Sequence, residues 1–293
     1  MSVTTPAGVI LDPGSALYRS LVGLLEEGRL VFFAGLPGTG KSLLIHQLAH
    51  LAHARGRTIH LVQWDTVRPV FERSEAGGRY PQINGVTHGM IRVAAGRWAR
   101  QAVGGWDQEH PSAEHLLIGE TPFVGHRFVE LARPADDTVE PVLAARSTRF
   151  VIPVPSREVR RHLEAERDRR ARRPLHERER EDAPPQVLRD LWRQILTVGH
   201  ELGVPGAAPG PTAYDPQVYQ RVYLHILARR HADVVALDQI LPTTSFSAYA
   251  FGVPCADVLP SDDEVWQSIR AAEDAYPDPE TLRKEIERWY VSR

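Results

Sequence analysis

The chain has 293 residues, room for one large domain or two small ones, and its 42% hydrophobic and 25% charged content excludes a disordered or fibrous protein. A formal net charge of −2 supplies no general attraction for nucleic acid or an anionic membrane. The single cysteine, Cys255, excludes an internal disulfide, and no apolar run approaches the roughly 18 residues of a membrane span. The start of the chain lacks a basic stretch followed by an apolar one, so no signal peptide and a cytoplasmic location are expected. Lysine occurs only at Lys41 and Lys284, and the remaining basic charge is arginine.

Residues 1–13 read as a loose start. Asp12-Pro13 opens a predicted helix through Glu27, with Leu17, Leu21, Leu24 and Leu25 on one face and Gly28 as its stop. Residues 30–34 (LVFFA) are apolar throughout, as a strand buried on both faces requires. A glycine turn over residues 35–40 follows, then a predicted helix from Lys41 to about Ala54. Residues 58–64 read as a second strand, and the strand–helix–strand order implies a right-handed crossover and a parallel sheet. Further strands are predicted over 115–119, 148–154 and 232–237, the last after a helix begun by Asp215-Pro216. The result is an α/β core of about five parallel strands, interrupted by long connections over 66–114 and 156–231. The first includes a predicted helix near residues 86–103, and the glycine- and proline-rich residues 203–212 read as a flexible surface loop. A capping box, Ser261 with Glu264, and Asp278-Pro279 open two C-terminal helices within 260–293.

Residues 35–42 (GLPGTGKS) meet the pattern G-x-x-x-x-G-K-[ST] at each fixed position, after an apolar strand and before a helix. In this pattern glycines let the backbone curl so that amides hold phosphates, and the helix amino terminus adds positive potential. Lys41 is expected to reach β- and γ-phosphate oxygens, and the Ser42 hydroxyl to ligate Mg²⁺. Gly35, Leu36, Pro37, Gly38, Thr39, Gly40, Lys41, Ser42 and Leu43 are the expected nucleotide-binding positions.

With this loop, Asp65-Thr-Val-Arg68 after the second strand, the acidic end of the third strand and the arginine-rich helix after the fourth, the chain resembles the P-loop kinase superfamily over residues 29–173. The resemblance implies a three-layer P-loop domain spanning 1–293, with an acceptor-side insertion at 66–114 and a lid at 156–184. It implies Mg·ATP as phosphoryl donor and a small polar acceptor. Asp65 would orient or deprotonate the acceptor and Arg68 would hold an anionic part of it; alternatively, Asp65 caps a helix starting at Thr66. Glu120 ends a Walker B-like strand and would hold the Mg²⁺ shell through water or position a nucleophile, although a glutamate after glycine replaces the usual aspartate; alternatively, Glu120 caps a helix. Arg160, Arg161 and Arg167 match the lid arginines that clamp phosphates, while most charges of residues 156–173 pair along a solvated face, and the charged residues 176–182 are a candidate mobile tip.

Thr121, His126 and Arg127 are weaker candidates for substrate contact; Arg92, Arg97 and Arg100 either bind an acidic acceptor or form an amphipathic solvated face. Trp64, Trp98 and Trp106 can stack on a base or fill the core, and His46, His50 and His53 share a helix face without a third metal ligand. The absence of a guanine-specificity signature favours ATP over GTP. Two rival readings are a polynucleotide or tRNA-directed kinase, which net charge does not indicate, and a regulatory ATP-binding module without transfer.

Overall fold

The computed structural model describes residues 6–181, 183–210, 212–243 and 246–291. Strands β1 (Leu30–Ala34), β2 (Thr58–Gln63), β3 (His115–Thr121), β4 (Thr148–Pro155), β5 (Ala232–Leu237) and β6 (Cys255–Asp257) form one open sheet in the order β5-β4-β1-β3-β2-β6. All adjacent pairs are parallel. The sheet therefore has six strands, not five. The sixth was hidden because β6 is a three-residue edge strand with little burial and no apolar run, paired through Ile59–Cys255 and Leu61–Asp257.

Burial on both faces explains the apolar runs. Leu30, Phe32 and Ala34 of β1 point into one core, and Val31 and Phe33 into the other. The second core is closed by α1 (Ala16–Glu27) and α2 (Lys41–His53), through Leu21, Leu24 and Leu25 and through Leu44, Ile45 and Leu48. The first core, on the opposite face, is closed by α3 (Trp64–Arg73) and α4 (Gly89–Glu109), joined farther along the chain by α5 (Glu140–Leu143), α7 (Pro185–Glu201), α8 (Pro216–Ile226), α9 (Asp262–Ala275) and α10 (Pro279–Glu287). Between α5 and α7, α6 (Arg157–Arg172) follows β4 directly.

Caps set the helix boundaries. α1 begins at Ala16, later than Asp12-Pro13 suggests, because the Ser15 hydroxyl accepts from Tyr18 N (3.0 Å) while Asp12 closes a turn by accepting from Gly14 N (2.9 Å). α4 starts at Gly89, since Ile83 and Val86 pair across a turn and His88 caps Met90 N (3.1 Å). Asp215 caps α8, Asp278 caps α10, and Ser261 and Glu264 form the reciprocal capping box on α9. Residues 203–210 form neither helix nor strand, yet Val204 and Ala207 are buried against the core. Among the described residues no helix is long and apolar enough to cross a membrane.

Gly119 stands beside Phe32 in the β1–β3 register. A Cβ there would meet Phe32 Cδ1 at 2.2 Å, and Phe32 is fully buried and stacked on Phe150 at 5.1 Å. Gly119→Ala is expected to destabilise the fold by about 1–3 kcal/mol through overpacking, measured by urea denaturation.

His46 is buried beside the rings of His50, Phe246 and Phe251, and Gln47 Nε2 lies 3.1 Å from its Nδ1. Burial, with repulsion from His50, pushes its pKa from 6.5 down to about 4. The unfolded chain therefore takes this proton first, and this contribution to stability is lost as pH falls from 6.5 towards about 4. The thermal midpoint should drop across that window, and His46→Phe should flatten the drop.

Candidate functional site

The strand order creates a switch point. From β1 the chain crosses to β2, returns to β3 beside β1, and then passes to β4 on the other side. Connections leave the carboxyl end of β1 in one direction and its neighbour β4 in the other, which opens a crevice of the kind where α/β sheets bind ligands. A cleft of about 810 Å³ lies at this edge, lined by Pro37, Gly38, Gly40, Lys41, Ser42 and Leu43 together with residues of α3, α6 and the loop after β3.

The glycine turn is the floor of the cleft. Gly35 (φ 152°) must be glycine because a Cβ would lie 2.1 Å from the Tyr219 hydroxyl. That hydroxyl accepts from Leu36 N (3.3 Å), and Thr39 Oγ1 donates to the Leu36 carbonyl (2.8 Å). Gly40 caps α2 in the left-handed conformation (φ 89°) with no side-chain bond to the helix. The first bond into α2 runs from Leu44 N to the Gly40 carbonyl (3.1 Å), so the amides of residues 41–43 have no helical acceptor. Three uncommitted amides, a helix dipole and the Lys41 ammonium thus face one region.

Lys41 is buried at the start of α2. Its Nζ donates to the Leu36 carbonyl (2.8 Å) and lies 3.2 Å from Glu120 Oε1. Glu120 comes from the carboxyl end of β3, one strand over from β1, so the pair follows directly from the β1–β3 register, Phe33 opposite Glu120. Burial pushes the Lys41 pKa down and the Glu120 pKa up, and each group opposes the shift of the other. Asp65 and Arg167 are close enough to act on both.

The α3 side adds polar groups. The helix starts at Trp64 after the N-cap Gln63, so Asp65 sits within its first turn and does not cap it. Pro69 lies four residues on and has no N–H for the Asp65 carbonyl. Arg68 Nη1 pairs with Glu72 Oε2 (2.9 Å), and Glu72 also accepts from Gln82 Nε2 (3.0 Å) and Thr87 Oγ1 (2.8 Å). Arg127 is held by the Val124 carbonyl (2.6 Å) and lies over the Trp64 ring (5.9 Å). It emerges from a tight turn, Phe123 paired with Arg127, in which Phe123 and His126 have positive φ, as does Phe128 just after it. Such strain in non-glycine residues is tolerated where the surroundings fix the backbone, and here Tyr223 donates to the Pro122 carbonyl (3.1 Å) and Arg92 to the Gly125 carbonyl (2.6 Å).

The cleft brings together most of the residues singled out in the sequence. Lys41, Ser42, Asp65, Arg68, Glu120, Arg127 and Arg167 all line it. Gly35, Leu36 and Thr39 are buried behind the turn and support it from below. Arg160 is not part of the lining: buried, it donates to the Pro37 carbonyl (3.0 Å) and to Glu164 (2.6 Å), buttressing the turn from outside. Arg161 does not line the cleft: it is exposed on α6, with its Nε donating to the Arg157 carbonyl (3.3 Å). One residue of rotation separates it from Arg160, and helical periodicity carries it away. Arg100 does not line the cleft either, buried in ion pairs with Asp137 (2.7 Å) and Glu140 (2.8 Å). Glu120 lies within a strand and caps no helix. Of the other α6 arginines, Arg169 pairs with Glu166 and Arg172 with Asp168 along the helix, Arg170 bonds Glu166 and also Glu179, and Arg157 pairs with Asp215 of the α8 cap (2.6 Å). Of the charged tip over 176–182, Asp182 lies outside the described residues.

Sequence reasoning missed Tyr219, Glu72, Gln82 and Thr87, and did not single out Arg170 and Arg178 within the charged stretches that hold them; all but Tyr219 line the cleft. Only aromatic spacing on α8 marked Tyr219, and nothing local pointed it at residue 35. Compared with protein-family models, curated proteins and solved structures, the chain gives no match.

Tyr219→Phe removes the acceptor for Leu36 N while keeping the ring. It is expected to cost about 0.5–1.5 kcal/mol in chemical denaturation and to speed hydrogen exchange at the Leu36 amide.

Proposed function

We propose that the chain is an ATP-dependent phosphotransferase of the P-loop kinase kind, acting on a small polar acceptor. The observation that carries the reading is the G-x-x-x-x-G-K-[ST] segment, residues 35–42, joining the switch-point strand to a helix amino terminus with the Lys41 ammonium buried at the cleft floor. The uncommitted amides of α2 and Lys41 suit a polyphosphate, which would compete with Glu120 for the ammonium. Ser42 and Glu120 bring only oxygen donors to the cleft, as a hard cation such as Mg²⁺ prefers, and that ion would neutralise phosphate charge.

The roles of the remaining residues follow from their chemistry. Asp65, exposed at the cleft, accepts the proton of an acceptor hydroxyl as that oxygen bonds to the γ-phosphorus and the bond to the bridging oxygen breaks. Arg68, held by Glu72, and Arg127 favour an acceptor with an anionic group. Arg167, which lines the cleft, would offset charge spread over the transferring group.

The reading is tested by calorimetry and an ADP-release screen over sugars, amino acids, nucleosides and RNA ends. Lys41→Ala should weaken Mg·ATP binding about 10- to 100-fold. Asp65→Asn should leave that binding intact and slow transfer about 10²- to 10⁴-fold. Tight ATP binding with every acceptor inert would replace the kinase reading with a regulatory nucleotide-binding module, and undiminished binding by Lys41→Ala would remove the nucleotide site itself.

A further inference from the structure

Away from the cleft, three histidines converge beside the amino-terminal end of β3. His60 lies in β2, His115 is the first residue of β3, and His110 caps the carboxyl end of α4. The parallel register sets Thr58 against His115 and His60 against Leu117, which makes His60 and His115 diagonal neighbours. His60 Nε2 and His115 Nδ1 lie 3.2 Å apart. The His110 ring centroid is 4.4 Å from that of His60 and 4.7 Å from that of His115. One nitrogen from each ring lies within 4.8 Å of the other two, and all three residues are half-buried.

These separations are short enough for the three rings to share one metal ion. Zinc holds imidazole nitrogens at about 2.0–2.1 Å, so two ligands of a tetrahedral ion sit roughly 3.3 Å apart. The His60–His115 separation, spanned by a hydrogen bond between the rings without metal, is 3.2 Å, close to that value. A nitrogen of His110 lies within 4.8 Å of both.

The surroundings favour coordination. His110 Nδ1 lies 3.2 Å from the Trp106 carbonyl; donating there fixes the tautomer whose Nε2 carries the lone pair, as outer hydrogen bonds do for metal ligands. The buried Trp106 ring stacks on His110 (5.4 Å) and meets His60 edge-on (5.6 Å), walling one side. Arg29 donates to the His110 carbonyl and Arg57 to the His115 carbonyl (2.7 Å), which pins both backbones. The Arg29 charge is met by Asp107.

We propose that His60, His110 and His115 bind one transition-metal ion of the zinc class, with water in the fourth position, tying the end of α4 to β2 and β3. Three imidazole donors without carboxylates select zinc, cobalt or nickel over magnesium or calcium. The proposal does not depend on what the cleft binds.

The test uses untagged full-length protein without nucleotide. Equilibrium dialysis against Zn²⁺ should give one ion per chain, Co²⁺ should show the intense visible absorption of a tetrahedral site, and Zn²⁺ should raise the thermal midpoint. His110→Ala and His60→Asn should each weaken uptake about 100-fold or more and abolish the midpoint rise. His46→Ala with His50→Ala, the other histidine pair, should leave uptake unchanged. Circular dichroism without metal identifies any variant that fails to fold, and either of the two substitutions suffices. Absence of stoichiometric uptake by the wild-type chain, or uptake unaltered in a folded His110→Ala variant, would show a packed imidazole cluster and overturn the proposal.

Discussion

A buried ammonium needs an anion within reach, and the architecture around the cleft is organised by that requirement. Lys41 enters the site from the first turn of α2, and Glu120 from the end of β3. Their 3.2 Å approach exists only because β1 and β3 are adjacent and in the register that sets Phe33 beside Glu120. Removing either partner would strand a buried charge, a loss far larger than that of an exposed ion pair. The strand order, the glycine turn and the position of α2 therefore support one another at this point.

The arginines of α6 show how tertiary structure sorts residues of one type. Within sixteen residues, Arg160 buttresses the glycine turn, Arg161 faces solvent, Arg167 reaches the cleft, and Arg169 and Arg172 pair on the surface. The same guanidinium serves four purposes according to its angle about the helix axis. Arg170 ties the helix to later segments of the chain, through Glu179 and the carbonyls of Thr243 and Phe246, so this wall of the cleft is held by long-range polar contacts. It has little apolar packing; only Val159 among its apolar residues is fully buried.

Much of the fold could be read locally. Alternating burial on both sheet faces forces all-apolar strands, and Asp215, Ser261 and Asp278 announce their helices because side-chain oxygens cap amides two or three residues away. The glycine turn was legible for the same reason, since its backbone requirements lie within eight consecutive positions. β6 was not legible: an edge strand of three residues needs neither apolar periodicity nor length, only a partner in β2.

The linear chain by itself thus determined the strand–turn–helix unit, the parallel α/β class and the capped helices, because these rest on hydrogen bonds and side-chain periodicities that span a few residues. Tertiary structure alone decided that Tyr219 supports residue 35, that Arg167 and not Arg161 reaches the cleft, and that His60, His110 and His115 meet. Those three histidines are separated by fifty and by five positions, with no spacing that marks a ligand set. Their convergence is a product of strand register and of where α4 ends, and no local propensity encodes either.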